Sequence, residues 1–311
     1  MEEKGVFFFQ PLFLQLLGIQ SVGIQFLQFF LVGITIGAVY AMIALGFTTI
    51  FRSSNIINFA QGEFVMLGGV VTLFLIKTLG FPYPIAALSA IVVVSFIGFG
   101  MEKLVIYPIR RAPVLIMVMA TLGASIFISQ AIGVLWGRAP FTLPPIYGGK
   151  PIPIAGIFIA PQSLWVLGVT VLVLFALHIF SYHTIVGKAM EASSTDPVAA
   201  KLVGIPIDLM VLFAFGVSAA VGAVAGILIA PIFYLRFDSG ALLALKGFVA
   251  AVLGGWGKGT GAVLGGFVLG VMESLSVGFI SSTYKDMVAF LALLLILYFR
   301  PRGILGSEVN G

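Results

Sequence analysis

Residues 24–64, IQFLQFFLVGITIGAVYAMIALGFTTIFRSSNIINFAQGEF, join a long apolar run to a polar interruption. The hydrocarbon core of a bilayer is about 30 Å thick, and a helix needs roughly 20 apolar residues to cross it. The uncharged part, 24–50, is long enough and predicts a membrane-spanning helix. The part at 52–64 is too polar for a continuous span and too apolar for a solvated loop, so it predicts a broken helix.

The same apolar pattern continues through the chain, in which 60% of the 311 residues are hydrophobic and 9% are charged. We therefore expect an all-α polytopic membrane protein with about eight to ten transmembrane helices, organised as one transmembrane domain over 1–311. A run at 240–256 is short and glycine-rich and contains Lys246, so it predicts a short or broken crossing. The remaining apolar runs are 64–80, 83–101, 114–136, 162–180, 209–235, 261–279 and 284–299.

Composition argues against several kinds of chemistry. The chain has no cysteine, and His178 and His183 do not have the spacing of a metal or haem site, so we expect no metal, no cofactor and no catalytic residues. The glycine-rich stretch at 255–261 lacks the spacing of a phosphate-binding loop, so any ATPase must be a partner. The net charge of +5 comes from basic residues in short loops, which indicates anionic lipid rather than nucleic acid.

Lysine and arginine counts predict the orientation, because cytoplasmic loops are enriched in both. The richer side should be cytoplasmic and should include the C-terminus, in a multi-pass protein of the cytoplasmic (inner) membrane. The start of the chain lacks the features of a cleaved secretory signal, so we expect it to be retained. The richer side holds Arg52, Lys103, Arg110, Arg111, Lys188, Lys201, Lys258, Arg300 and Arg302, and the other side holds Lys4, Lys77, Arg138, Lys150, Arg236 and Lys285.

Three further segments have distinct patterns. Residues 1–24 form an N-terminal extension or an extra helix. The proline-rich segment 137–161 predicts an external hairpin that turns at Tyr147–Lys150. The segment 181–208 predicts two short helices on the cytoplasmic membrane face, because Asp196 followed by proline is a typical helix start.

Polar residues within the apolar runs are the candidates for a translocation pathway. Asn58, Gln61 and Glu63 lie in the polar interruption, although an ordinary cytoplasmic loop in which Asn58 or Gln61 caps the next helix remains an alternative. Lys246 and Glu273 are also costly in lipid and should face the bundle interior. An ion pair of Lys246 with Glu63 or Glu273 is as plausible as contact with a transported molecule. Glycines at four-residue spacing, such as Gly33 and Gly37 or Gly266 and Gly270, predict close helix packing.

The motif INFAQGE at 57–63, within residues 26–69, resembles the start of LivH-type permeases of branched-chain amino-acid ATP-binding-cassette transporters. The resemblance covers nearly everything after residue 24. It implies that 186–205 is the loop that couples the permease to the ATPase. The implied coupling residues are Gly187, Lys188, Ala189, Met190, Glu191, Ala192, Asp196 and Gly204, with Glu191 replacing a residue that is usually basic in the family.

The resemblance also implies the partners: a second, LivM-like permease subunit, two ATP-binding subunits and an external substrate-binding protein. The chain would be a pore subunit and not an enzyme, with amino acids, branched-chain ones above all, as the transported solutes. Two transport alternatives stay open, namely an importer of urea or short amides, and a stand-alone channel or secondary carrier for a small polar solute that depends on Glu63. A membrane enzyme would need clustered catalytic groups, which the sequence does not present.

Overall fold

The computed structural model describes residues 6–146, 150–154, 156–300 and 302–306, with side chains from residue 22 onward. This part of the chain is helical apart from one pair of short strands, which confirms the predicted all-α class. A π-helical turn at Glu102–Ile106 extends the third helix. The elements are α1 Val6–Ser54, α2 Gln61–Leu79, α3 Tyr83–Met101, α4 Val114–Leu135, β1 Ile152–Ile154, β2 Ile157–Ile159, α5 Pro161–His183, α6 Ile185–Thr195, α7 Pro197–Leu202, α8 Ile207–Ile229, α9 Ser239–Gly254, α10 Gly259–Phe279 and α11 Lys285–Phe299.

Eight helices in the described part are long and apolar enough to cross a membrane, which confirms a polytopic membrane protein. The helix α9 has 16 residues and is the short apolar element predicted at 240–256. The eight candidate spans are Val22–Ser54, Gln61–Leu79, Tyr83–Ile109, Val114–Leu135, Pro161–His183, Ile207–Ile229, Gly259–Phe279 and Ser282–Phe299.

The spans differ in how deeply they are packed. In α8, 72% of the most apolar window is buried inside the protein, whereas in α5 and α11 the share is 11%. Helices α1, α2, α8, α9 and α10 therefore form the centre, and α5 and α11 lie at the periphery. Apolar side chains exposed on the peripheral helices are expected where the surrounding solvent is lipid.

Small residues bring α1 and α10 into close contact. A Cβ atom on Gly33 would lie 2.7 Å from the Cα atom of Val271, and one on Gly37 would lie 2.7 Å from the Cα atom of Phe267. From the opposite side, Gly270 packs on the backbone of Gly37. The predicted packing role of the spaced glycines is confirmed here, because any side chain at these positions would separate the two backbones.

The polar interruption is a segment that turns back into the bundle. The helix α1 ends at Ser54, and Asn55 takes a left-handed conformation with φ 55°. The helix α2 then starts at Gln61, beside Gly46 of α1. Eight residues separate Gly46 from the end of α1, so α2 starts about 12 Å inside that end. The predicted break is present and lies within the protein interior.

The proline-rich segment 137–161 contains the expected hairpin. Strands β1 and β2 pair in antiparallel fashion with Ile154 opposite Ile157, and Gly156 has φ 85°. The hairpin described here therefore turns between Ile154 and Ile157, with Gly156 in the turn. The turn predicted at Tyr147–Lys150 falls largely on residues 147–149, which lie outside the described residues.

Contacts between loops divide the bundle into two ends. At one end, Arg52 pairs with Glu191 at 2.6 Å, and Lys258 Nζ donates to the Leu305 carbonyl at 2.9 Å. At the other end, Gln28 Nε2 in α1 donates to the Phe158 carbonyl of the hairpin at 2.9 Å. The first end carries basic residues that the charge count assigned to one common side.

Candidate functional site

The segment that turns back into the bundle is held by an amide–hydroxyl contact. Gln61 is fully buried, and its Nε2 donates to the Ser218 carbonyl of α8 at 3.2 Å. In return, Ser218 Oγ donates to Gln61 Oε1 at 2.6 Å. Because Gly46 packs against the same amide group, a side chain at that position would expel it. Gln61 therefore connects α1, α2 and α8 at one point.

Glu63 and Asn58 are buried with part of their hydrogen-bonding capacity unused. Ser125 Oγ of α4 donates to Glu63 Oε1 at 2.8 Å, and Glu63 also contacts Gly240 in the first turn of α9. A helix N-terminus favours a nearby negative charge. Asn58 Oδ1 accepts from the Ala60 amide at 3.0 Å. Glu63 Oε2 and Asn58 Nδ2 have no hydrogen-bond partner within the described part of the chain, which marks them as polar atoms with a capacity for a further ligand.

The other intramembrane charges form a separate cluster. Lys246 of α9 pairs with Glu273 of α10 and lies 2.8 Å from a carboxylate oxygen of Asp286 in α11. Tyr40 of α1 donates its hydroxyl to Glu273 Oε2 at 2.7 Å. Of the two partners that the sequence left open for Lys246, the structure therefore selects Glu273, and Glu63 lies elsewhere.

The predicted pathway residues thus fall into two groups rather than one. Asn58, Gln61 and Glu63 lie around the start of α2, and Lys246 and Glu273 lie between α9 and α10. All five are buried, at 4% relative exposure or less. In this conformation they contact protein, so an ordinary solvated loop does not describe the first group, and a role in lining a pathway stays a prediction.

The predicted coupling loop forms a small platform of two helices, α6 and α7. The buried side of α6 consists of Gly187, Met190 and Ser193. A Cβ atom on Gly187 would lie 2.7 Å from the Cα atom of Ser181, so glycine allows α6 to pack on the end of α5. Met190 packs against Met210 of α8 in a small apolar cluster. Ala189 is also part of this cluster.

The start of α7 follows the sequence prediction. Asp196 Oδ1 accepts from the amides of Val198 and Ala199 at 3.0 Å each, as an N-cap residue does. The Asp196 amide in turn donates to the Ala192 carbonyl at 3.2 Å, which links α6 to α7. Gly204 ends the platform with φ 84°, a left-handed conformation that favours glycine.

The platform is connected directly to the end of α1. Glu191 pairs with Arg52, Ser194 Oγ donates to the Arg52 carbonyl at 2.5 Å, and Asn55 Nδ2 donates to the Ser194 carbonyl at 3.1 Å. These contacts join α6 to the residues that precede the break. A displacement of α6 would therefore reach the segment at 55–60.

The outer side of the platform is apolar, although it lies outside the candidate spans. Ile185 is 88% exposed and Leu202 is 83% exposed, and Val198 and Val203 are also largely exposed. Lys188 lies on α6 with Ile185 and is exposed as well. We call Ile185, Val198, Leu202 and Val203 the platform patch. A group of large apolar side chains in this position is typical of a surface that a partner covers.

The sequence reasoning missed three residues that complete these sites: Arg52, Tyr40 and Asp286. Arg52 and Asp286 each stand at an end of an apolar run, where a charge opposite to Glu191 or Lys246 could have suggested them. Tyr40 gave no comparable signal, since it lies among apolar residues of α1. In the part that the structure describes, no group of three or more His, Cys, Asp or Glu residues could hold a metal ion.

A bundle of eight candidate spans, an interior break with buried polar residues and a two-helix platform at one end define a multi-span membrane protein with polar groups in its interior. The family described as "Branched-chain amino acid transport system / permease component" matches residues 29–297. The chain therefore belongs to the branched-chain amino-acid transport permease family, whose description makes it one component of a larger transport system.

Curated relatives are similar in sequence to this chain along most of their length. The chain is 35% identical over 302 residues to the high-affinity branched-chain amino acid transport system permease protein LivH of Escherichia coli (strain K12), covering 91% of this chain and 96% of the relative. It is 34% identical over 295 residues to the corresponding protein BraD of Pseudomonas aeruginosa, with the same coverage. A probable LivH permease of Methanocaldococcus jannaschii is 28% identical over 292 residues, covering 86% and 88%.

Proposed function

We propose that this chain is the permease subunit of an ATP-binding-cassette importer that moves branched-chain amino acids across the cytoplasmic membrane. In this assignment it acts with a second permease subunit, two ATP-binding subunits that hydrolyse ATP and an external substrate-binding protein. The observation that carries the proposal is the platform formed by α6 and α7, with an exposed apolar patch on one side and direct contacts to α1 on the other.

The platform patch fits docking of an ATP-binding subunit. Its four large apolar side chains are open to solvent at the end of the bundle, and covering them is favourable by about 25 cal/mol per Å². Lys188 and Asp196 are exposed beside the patch and can fix the orientation of a partner by charge pairing. The Arg52–Glu191 pair then gives a route by which closure of the ATPase reaches the break after α1.

The basic residues at the platform end of the bundle indicate how the protein is oriented in the membrane. The platform, Lys258 and the residues around Leu305 lie together, and this end holds most of the basic loop residues. We assign this end to the cytoplasm, with the C-terminus, and the hairpin of β1 and β2 to the outside. An ATPase on the cytoplasmic side and a binding protein on the outer side are the arrangement that an importer requires.

The substrate assignment rests on the relatives, LivH and BraD, whose names state branched-chain amino acid transport. Branched-chain amino acids are net-neutral zwitterions, and Lys246 is compensated by Glu273 and Asp286, so this lysine does not favour an anionic solute. Urea and short amides are also net-neutral, so the uptake assay must include them. A secondary carrier would instead use Glu63 for coupling and would work without ATP.

The test is ATP-dependent uptake of radiolabelled leucine into membrane vesicles that contain this chain and the products of its genomic neighbours. Leu202→Glu removes the burial of a leucine side chain and places a charge in the docking surface, which together cost about 1.5–3 kcal/mol or more. We expect uptake to fall at least tenfold with normal amounts of protein in the membrane. Arg111→Gln, which lowers the charge by the same one unit at an exposed position outside the patch, should leave uptake within about twofold.

Three results would change the assignment. Uptake that persists without the ATP-binding subunits would favour the carrier. Uptake that Leu202→Glu does not affect would contradict docking at the patch. Uptake of urea or an amide in place of leucine would keep the mechanism and replace the substrate.

A further inference from the structure

A cavity of about 450 Å³ lies between the ends of α1 and α5, the helix α6 and the start of α10. This volume is in the range of small-molecule sites. It is separate from the polar residues around the start of α2 and from the Lys246 cluster, since none of those side chains lines it. It also lies behind the platform rather than on its outer patch.

The cavity changes from apolar to ionic along its length. One face of α1 lines the cavity with Leu45, Thr48 and Arg52, at spacings of three and four residues. Leu174, His178 and Tyr182 form a parallel series on α5. From Leu45 to Arg52 the helix rises about 10 Å, which leaves room for a small amino acid between the apolar end and the ionic end.

The ionic end presents both signs of charge. Arg52 lies 2.6 Å from Glu191, and its guanidinium stands 5.4 Å from the centre of the Tyr182 ring. The Arg52 side chain is 21% exposed and that of Glu191 is 50% exposed, so this chain leaves part of each side chain uncovered for a ligand. Each group also has hydrogen-bonding positions beyond the contact that joins them, because guanidinium has five donors and a carboxylate has about four acceptor sites.

A zwitterion with an apolar side chain matches this pattern. Its carboxylate suits Arg52, its ammonium group suits Glu191, and its side chain suits the wall around Leu45, Leu174 and Leu264. A fatty acid or a simple anion would place its negative charge beside Glu191 without compensation, and an amine would meet Arg52 in the same way.

We propose that this cavity is a binding site for a zwitterionic amino acid with an apolar side chain, at the end of the bundle that carries the platform. The assignment of that end to the cytoplasm rests on the proposed function, and the binding chemistry does not. A ligand held there contacts both Arg52 and Glu191, so it bridges α1 and α6 at the joint through which docking would act. The site is thus placed to sense the transported solute on the side where it is released.

The experiment measures equilibrium binding of radiolabelled L-leucine to the full chain in phosphatidylcholine nanodiscs, without ATP-binding subunits or binding protein. We expect L-valine to compete, and 4-methylpentanoate and isoamylamine, which each lack one charged group, to compete at least tenfold more weakly. Arg52→Gln and Glu191→Gln should each weaken leucine binding at least tenfold, because each removes one charged contact. Arg111→Gln removes an exposed positive charge that does not line the cavity and should leave binding unchanged.

A second variant covers the case in which loss of the ion pair disturbs folding. Leu264 lines the cavity and is 44% exposed, so Leu264→Trp can occupy the space with little strain on the core. It should abolish leucine binding while the protein remains monodisperse. Persistent binding in this variant would place the ligand elsewhere and overturn the proposal.

Two further outcomes would also overturn it: no leucine binding to folded wild-type chain, and displacement of leucine by phosphatidylethanolamine in the nanodisc, which would assign the cavity to a lipid. A failure of the proposed function can be distinguished from a failure of the cavity site. ATP-driven leucine uptake without binding to the isolated chain would remove only the cavity site, whereas binding without uptake by the assembled system would remove only the importer assignment.

Discussion

Replacing Lys246 by methionine tests the buried charge cluster most directly. The lysine side chain is 4% exposed and that of Glu273 is 5% exposed, so the substitution leaves a carboxylate inside the bundle without its cation. Tyr40 still donates to Glu273 Oε2, but a hydroxyl does not neutralise the charge. Asp286 is 40% exposed on its side chain and can be solvated when Lys246 is gone.

The expected loss of stability follows from these exposures. Breaking a buried pair by removing one partner costs about 3–5 kcal/mol, whereas removing both charges is close to neutral or costs little. The contribution of the half-exposed Asp286 is about 1 kcal/mol or less. We therefore expect Lys246→Met to destabilise by about 3–5 kcal/mol. The double variant Lys246→Met/Glu273→Gln, which keeps an acceptor for Tyr40, should recover most of that loss, about 2–4 kcal/mol.

The assay is denaturant unfolding of the full chain in mixed micelles, followed by circular dichroism, for wild type, both single variants and the double variant. Arg236→Gln is the matched control, because its pair with Asp238 at 2.9 Å is about half exposed and should contribute less than about 1 kcal/mol. A loss for Lys246→Met no larger than that of the control would refute the assigned role of the cluster. A double variant whose loss of unfolding free energy equals the sum of the losses of the two single variants would refute it as well.

Two other predictions follow from backbone geometry and capping. Gly226→Ala would push a methyl group into the Val65 carbonyl and should destabilise the protein by about 1–3 kcal/mol or prevent its assembly. Gly123→Ala is the control and should be neutral or slightly stabilising, because there is open space around Gly123. The measurement is the yield of monodisperse protein, and equal yields for the two variants would contradict the assigned contact. Asp196→Ala removes the N-cap of α7 and should cost about 1 kcal/mol locally. The measurement is amide hydrogen exchange, which should become faster at 198–202 with no change in the spans; unchanged exchange would speak against the cap.

The spans and the platform were predictable because their signals are local. An apolar run of about 20 residues admits few structures other than a membrane helix. Asp196 followed by Pro197 similarly fixes the start of α7, since both the cap and the proline act within one turn. The break at 55–60 was predictable from polarity alone.

The pairing of buried charges and the hairpin turn were harder to derive. Lys246 could have met any acidic residue of the bundle, and only the packing of α9 between α10 and α11 selects Glu273 and Asp286. The turn in the described hairpin contains Gly156, whereas the sequence pattern predicts a turn at Gly148 and Gly149, because glycine has the same conformational freedom at all three positions. The Arg52–Glu191 contact was also hard to derive, because the two residues are far apart in the sequence.

The glycine contacts between α1 and α10 have a mechanical consequence. Two backbones that touch directly have no flexible side chains between them and cannot slide without steric overlap, so we expect α1 and α10 to keep their relative position as one rigid unit. The helix α5, by contrast, is peripheral and is joined to α6 by the single residue Thr184. We therefore expect a displacement of the platform to change backbone torsions at Thr184 and at 55–60 rather than the packing of α1 on α10.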